Sequence, residues 1–133
     1  MIEDRFDVVV IGGGPAGAMA AAELVRAGHS VLVVEKDKYP RFHIGESLIP
    51  GVVAILDDLG VGAAIHSEGF VPKYAAEFVT PDSQIRQRYV FSDSLTPEHG
   101  LAYQVERARF DQILLDHARS TGATVSVGSE VTQ

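Results

Sequence analysis

The chain has 133 residues, 46% hydrophobic and 22% charged, the composition of one globular domain with a single core, which excludes disorder, collagen-like repeats and low-complexity structure. Eleven Lys and Arg against eighteen Asp and Glu give a formal net charge of −7 with no basic block, so a nucleic acid partner is excluded by average repulsion. Without cysteine there is no disulfide, thiolate zinc site or cysteine nucleophile, which suits a reducing cytoplasm.

Met1-Ile2-Glu3-Asp4-Arg5 is acidic where a signal peptide would be basic. No apolar run approaches the roughly 20 residues needed to cross a bilayer, so a soluble, cytoplasmic protein without a membrane span is expected. Phe6 to Ile11 is a β-branched run ended by glycine, the pattern of a parallel strand buried on both faces. Pro15 to Ala27 reads as a helix, with Pro15 in its first turn and Gly28 as its stop, and Ser30 to Val34 as a second buried strand. Strand, helix and strand make a right-handed crossover unit.

Lys36 to Ser47 is irregular, broken by Pro40 and Gly45; Val52 to Leu59 has helical spacing and ends at Gly60. Tyr74 to Thr80 and Ile85 to Phe91 flank Pro81-Asp82-Ser83, which predicts an antiparallel hairpin inserted into the crossover fold. Leu101 to Gln104 predicts a short third strand, Arg107 to Ser120 a helix stopped by Gly122, and Ala123 to Val127 a further strand. The fold class is α/β and Rossmann-like.

Gly12-Gly13-Gly14-Pro15-Ala16-Gly17 carries the spacing G-x-G-x-x-G between a strand and a helix. Gly12 permits the tight turn, Gly14 lets the backbone approach a pyrophosphate, and Gly17 allows close helix packing; Pro15 and Ala16 open the helix whose N-terminus faces the phosphates. Glu35 ends the second strand, where a carboxylate accepts both ribose hydroxyls and disfavours a 2′-phosphate. The residues alone leave FAD and NAD both open.

Together with Tyr39-Pro40-Arg41-Phe42-His43-Ile44-Gly45-Glu46-Ser47-Leu48-Ile49-Pro50 and Tyr103-Gln104-Val105-Glu106-Arg107-Ala108-Arg109-Phe110-Asp111, this segment resembles the N-terminal part of the flavin-dependent halogenases. They share a fold with the aromatic hydroxylases related to p-hydroxybenzoate hydroxylase and with the geranylgeranyl reductases. The resemblance implies FAD, and a reaction that uses reduced flavin, oxygen and halide to make hypohalous acid for an electron-rich aromatic substrate, with a separate flavin reductase. The alternatives are an aromatic hydroxylase, a geranylgeranyl-reductase-like flavoprotein and, in another class, a non-catalytic nucleotide-binding fragment.

Arg41 is expected at the pyrophosphate, and Ser47 as a helix N-cap in a stretch, with Glu46, that packs against the flavin in the family. Arg107, a cation in a helix first turn where the dipole disfavours it, matches an arginine that reaches the cofactor in related flavoproteins. Arg109 and Asp111 are expected on the solvated face. Gly69-Phe70-Val71-Pro72-Lys73 resembles the context of the halogenase lysine that acts on hypohalous acid, making Lys73 the catalytic candidate; the competing role is a lysine guarding a strand edge.

His29, His43, His66, His99 and His117 show no metal-ligand spacing, so no metal is expected. Members of the family are several times longer, so residues 1–133 are expected to be the N-terminal portion of an FAD-binding domain whose later flavin motif, tryptophan-containing motif and substrate pocket lie beyond it, and to be inactive alone.

Overall fold

The computed structural model describes residues 5–94 and 100–132. Met1-Ile2-Glu3-Asp4, His99 and Gln133, which entered the sequence reading, lie outside them. The chain divides into two compact units, one formed by Met1–Ile44 with Glu106–Gln133 and the other by Gly45–Val105.

In the first unit β1 (Val8–Ile11), β2 (Val31–Glu35) and β7 (Thr124–Val127) form a parallel sheet in the order β1-β2-β7. Val8 lies opposite Val31 and Val10 opposite Val33, while Val33 and Glu35 stand opposite Val125 and Val127. Helix α1 (Pro15–Arg26) joins β1 to β2, and α4 (Arg107–Thr121) leads into β7. The two helices pack together. α1 buries Ala18, Ala21 and Ala22, small side chains at spacings of three and four that let the backbones approach, and α4 buries Phe110, Leu114, Leu115 and Ala118. Gly122 ends α4 at φ +116°, a left-handed conformation that glycine adopts without steric cost.

β1 is not buried on both faces. Val31 and Val33 are sealed, whereas Val9 and Ile11 are 53% and 71% exposed. Because residues alternate across a strand, Val9 and Ile11 point away from the face that carries Val8 and Val10, toward which a Cβ on Gly17 of α1 would press. Among the described residues nothing seals that second face of β1, and apolar composition alone could not reveal which face lay open.

The second unit holds α2 (Pro50–Asp58), α3 (Gly62–Ser67) and two antiparallel pairs. β3 (Val71–Lys73) pairs with β6 (Ala102–Gln104), and β4 (Ala75–Val79) with β5 (Arg86–Val90) as the expected hairpin. The short strand expected at Leu101 to Gln104 therefore exists and pairs with β3, a strand the sequence did not announce. Helix α3 was also unforeseen, because six residues between Val61 and Glu68 are too few to display a period. The imidazole of His66 bonds Tyr103 Oη at 2.6 Å through Nδ1 and Asp57 Oδ1 at 3.0 Å through Nε2, tying α3, β6 and α2 together.

Ser47 is not a helix cap. α2 begins at Pro50 with Ile49 as its extended N-cap residue and no side-chain cap; proline fixes the first helical position and forces the residue before it to be extended. Ser47 instead bridges Gln104 in antiparallel fashion.

Candidate functional site

The first site grows from the end of β1. Gly12 turns at φ +102° and donates its N–H to Val34 O at 2.8 Å. Gly13 N–H then donates to Glu35 Oε2 at 2.7 Å, and Gly14 is the N-cap residue of α1, with Pro15 following and no acidic side chain in the first turn. A Cβ on Gly17 would collide with Gly12 O, so the third glycine is required for the helix to start this close to the strand. Ala16 is exposed in the first turn and Pro15 half-buried. The N-terminal end of α1 thus presents uncapped N–H groups and the positive end of its dipole.

Glu35, 4% exposed, closes the turn from β2. Its second oxygen accepts the Asp37 N–H at 2.8 Å. Burial pushes its carboxyl up, but the N–H bonds from Asp37 and Gly13 and the charges of Arg41 and Lys36 outweigh burial and leave it below its ordinary 4.5. Both oxygens are already bonded to backbone, which the sequence did not disclose; each keeps a lone pair for a hydroxyl.

Arg41 hangs over the glycine turn. A Cβ on Gly14 would lie 3.4 Å from its Nη2, and its guanidinium carbon lies 5.1 Å from the centre of the Tyr39 ring. Tyr39 donates its hydroxyl proton to Gly13 O at 2.7 Å, and burial raises its pKa. Arg41 stands 3.8 Å from Glu35, 3.7 Å from Asp37 and 3.7 Å from Asp111. Its side chain is only 14% exposed, yet Nε is buried without a hydrogen-bond partner. A buried, orphaned guanidinium donor beside a helix N-terminus is arranged for an anion with several acceptor oxygens.

Beside it lies a pocket of about 310 Å³ at the carboxyl ends of β1 and β2, lined by Gly12, Glu35, Lys36, Arg41 and His43 together with Ser129 and Val131 after β7. Ser129 N–H donates to Glu35 O at 3.0 Å, fastening that loop. The carboxyl ends of parallel strands are where such folds bind ligands. That rule was the available signal for Ser129 and Val131, which the motif reading passed over.

Asp111 departs from expectation. Asp111 is not solvated but fully buried, accepting Arg107 Nε at 2.7 Å and Nη2 at 3.0 Å. Arg107 Nη1 donates to Ile44 O at 2.9 Å, so the guanidinium pins the end of the loop that carries Arg41. Asp111, one turn along α4, answers the unfavourable position of Arg107 in the helix dipole; the spacing of four was visible, the burial was not. Arg109 is exposed, as expected.

In the second unit the structure brings Glu46, Ser47 and Lys73 together. Lys73, half-buried at the end of β3, donates to Ser47 Oγ and to Leu48 O, the latter at 2.8 Å. Glu46 is exposed; its carbonyl accepts the Val105 N–H at 2.8 Å, and its carboxylate lies 3.4 Å from Gln104 Nε2. Lys73 is thus tied to the loop and does not stand free at a strand edge. Among the described residues no three His, Asp or Glu side chains gather to hold a metal, and no helix is long and apolar enough to cross a membrane.

Residues 5–133 match the FAD-binding domain family. The chain belongs to that family. A flavin-dependent halogenase of Armillaria mellea is 42% identical over 94% of the chain, which covers 24% of that protein. The 1H-pyrrole-2-carbonyl-[peptidyl-carrier protein] chlorinase of Pseudomonas fluorescens is 35% identical over 98% of the chain and 33% of its own length. The solved structure of CmlS, a flavin-dependent halogenase, superposes over all of the chain and 24% of its own with a TM-score of 0.89 at 38% identity. The chain spans between about a quarter and a third of these relatives. FAD is the cofactor of this FAD-binding domain, and the site fits it: a glycine cradle, a buried carboxylate at the end of β2 and a buried arginine donor lacking a partner.

Proposed function

We propose that the protein carrying this chain is a flavin-dependent halogenase of electron-rich aromatic compounds, working in the cytoplasm with halide, oxygen and a separate flavin reductase. Residues 1–133 are then the N-terminal portion of its FAD-binding domain. The observation that carries the reading is the junction of two halogenase-like segments in one unit: Lys73, from Gly69-Phe70-Val71-Pro72-Lys73, donates to Ser47 and Leu48 of the Gly45-to-Pro50 stretch. Relatives at 35% and 42% identity carrying halogenase names support the same class.

The binding roles divide along the first unit. Gly12 makes the turn, Gly14 keeps a side chain out of the diphosphate's approach, Gly17 lets the helix start close to the strand, Pro15 and Ala16 start the helix that faces the diphosphate, Arg41 donates to it, and Glu35 accepts from the ribose hydroxyls. Arg107 serves the cofactor by fixing Ile44 and the loop behind Arg41. Glu46 and Ser47 are assigned to the cofactor by the resemblance of the stretch that carries them.

Bound FAD, once reduced, supplies with oxygen the two-electron oxidation that turns halide into hypohalous acid. Lys73 receives that acid. Two of its N–H donors are spent on Ser47 and Leu48, which fixes the ammonium and leaves the third to hydrogen-bond the oxygen of the acid. As the ring carbon bonds to the halogen, the oxygen–halogen bond breaks, the oxygen departs as water and the ring loses its proton. Ser47, accepting from Lys73, retains its own O–H as a donor.

The test is product mass. The full-length protein, given FAD, a flavin reductase, oxygen, bromide and a panel of phenols, indoles and pyrroles, is expected to yield a brominated ring. Oxygen incorporation without halogen would replace the reading with a hydroxylase.

A further inference from the structure

Asp111 is a fully buried carboxylate on a helix whose neighbouring buried positions are Phe110, Leu114 and Leu115. An apolar residue would serve packing better, because a charge is costly to bury. The Arg107–Asp111 pair four residues apart is an arrangement that helices ordinarily carry on their surface. Something else keeps it inside. Both Asp111 oxygens accept from Arg107, and Arg41 Nη2 lies 3.7 Å from Oδ2, close enough to be attracted but beyond hydrogen-bond distance. Glu35 offers the same arrangement from the other side: its Oε2, 3.8 Å from Arg41, already accepts the Gly13 N–H. The guanidinium is drawn into place over Gly14, where it also meets the Tyr39 side chain, and its Nε is left without a hydrogen-bond partner.

We infer that Asp111 is a positioning residue for FAD: engaged by Arg107 through both oxygens, it holds Arg41 by charge above the N-terminus of α1, with Nε unpartnered, where the diphosphate lies. The inference rests on the reading of this pocket as an FAD site. Asp111 meets no ligand itself. It acts through Arg41, with Glu35 and Asp37 as the other carboxylates around that guanidinium.

A double-mutant cycle on the full-length apoprotein tests it, read by flavin fluorescence on titration with FAD and by calorimetry with ADP and adenosine. Arg41→Ala is expected to weaken FAD about twentyfold and Asp111→Asn about tenfold, the range of charge-assisted bonds. The double variant should lose about twentyfold, because Asp111 has no effect without Arg41. ADP should follow FAD, and adenosine, which lacks the diphosphate, should bind all forms alike. If Asp111→Asn fails to fold, Arg107→Met with Asp111→Leu removes both charges without stranding one, and its loss should likewise vanish in the Arg41→Ala background. Losses that multiply, or adenosine weakened as much as ADP, would overturn the role of Asp111 while leaving the FAD site standing. Wild-type protein that binds no FAD would overturn the site and the inference together.

Discussion

Glu35 closes the glycine turn through the Gly13 and Asp37 N–H groups, and in the proposed FAD site its remaining lone pairs serve the ribose. Glu35→Ala is therefore expected to weaken FAD by about 1.5–3 kcal/mol, as for hydrogen bonds to a charged group, measured by fluorescence titration. Its pH signature follows from the depressed carboxyl. The bonds favour the ionised form, so the stability Glu35 contributes is complete above pH 4.5 and is lost as pH falls through the lower folded-state value. Between pH 5 and pH 3 the thermal midpoint of wild type should fall more steeply than that of Glu35→Gln; parallel curves would remove the carboxylate from the turn. At this scale the place of Glu35 beside the glycine turn was legible, because it ends the strand after the glycines. Asp111 was not, since nothing local distinguishes a buried aspartate four residues after an arginine from a solvated one.

Elements carry the glycine argument further. Gly17→Ala sets a methyl against backbone that cannot yield, Gly12 O, and is expected to unfold or strongly destabilise the first unit, read by circular dichroism on heating. Gly14→Val sets its Cβ 3.4 Å from Arg41 Nη2, the end of a flexible side chain, and obstructs the diphosphate's approach; the folded signal should persist while FAD is lost. Leu115→Ala in α4, fully buried, is expected to cost about 2–5 kcal/mol as a core cavity. Chemical denaturation measures it. The crossover helices and strands were readable because period, proline and glycine agree along them. The pairing of β6 with β3 was not, because a three-residue strand states its existence but not its neighbour, and the cap at Ile49 was set by Pro50 and not by the more suggestive Ser47.

At the scale of the molecule, a parallel sheet with a pocket at its carboxyl ends supplies the binding half of the chemistry, and a second unit ties a lysine to the Ser47 loop. Resemblance supplied the second half: no period or spacing marks Lys73, whereas the strand, glycine and Glu35 pattern announces a dinucleotide from first principles. Binding and oxidant handling should consequently separate by mutation. The most direct measurement compares full-length wild type with Lys73→Ala, each reconstituted with FAD, flavin reductase, oxygen and bromide, following flavin content, flavin reoxidation and brominated product together. The account predicts near-normal flavin content and reoxidation in Lys73→Ala with brominated product abolished; bromination persisting at a substantial rate without the lysine would contradict it.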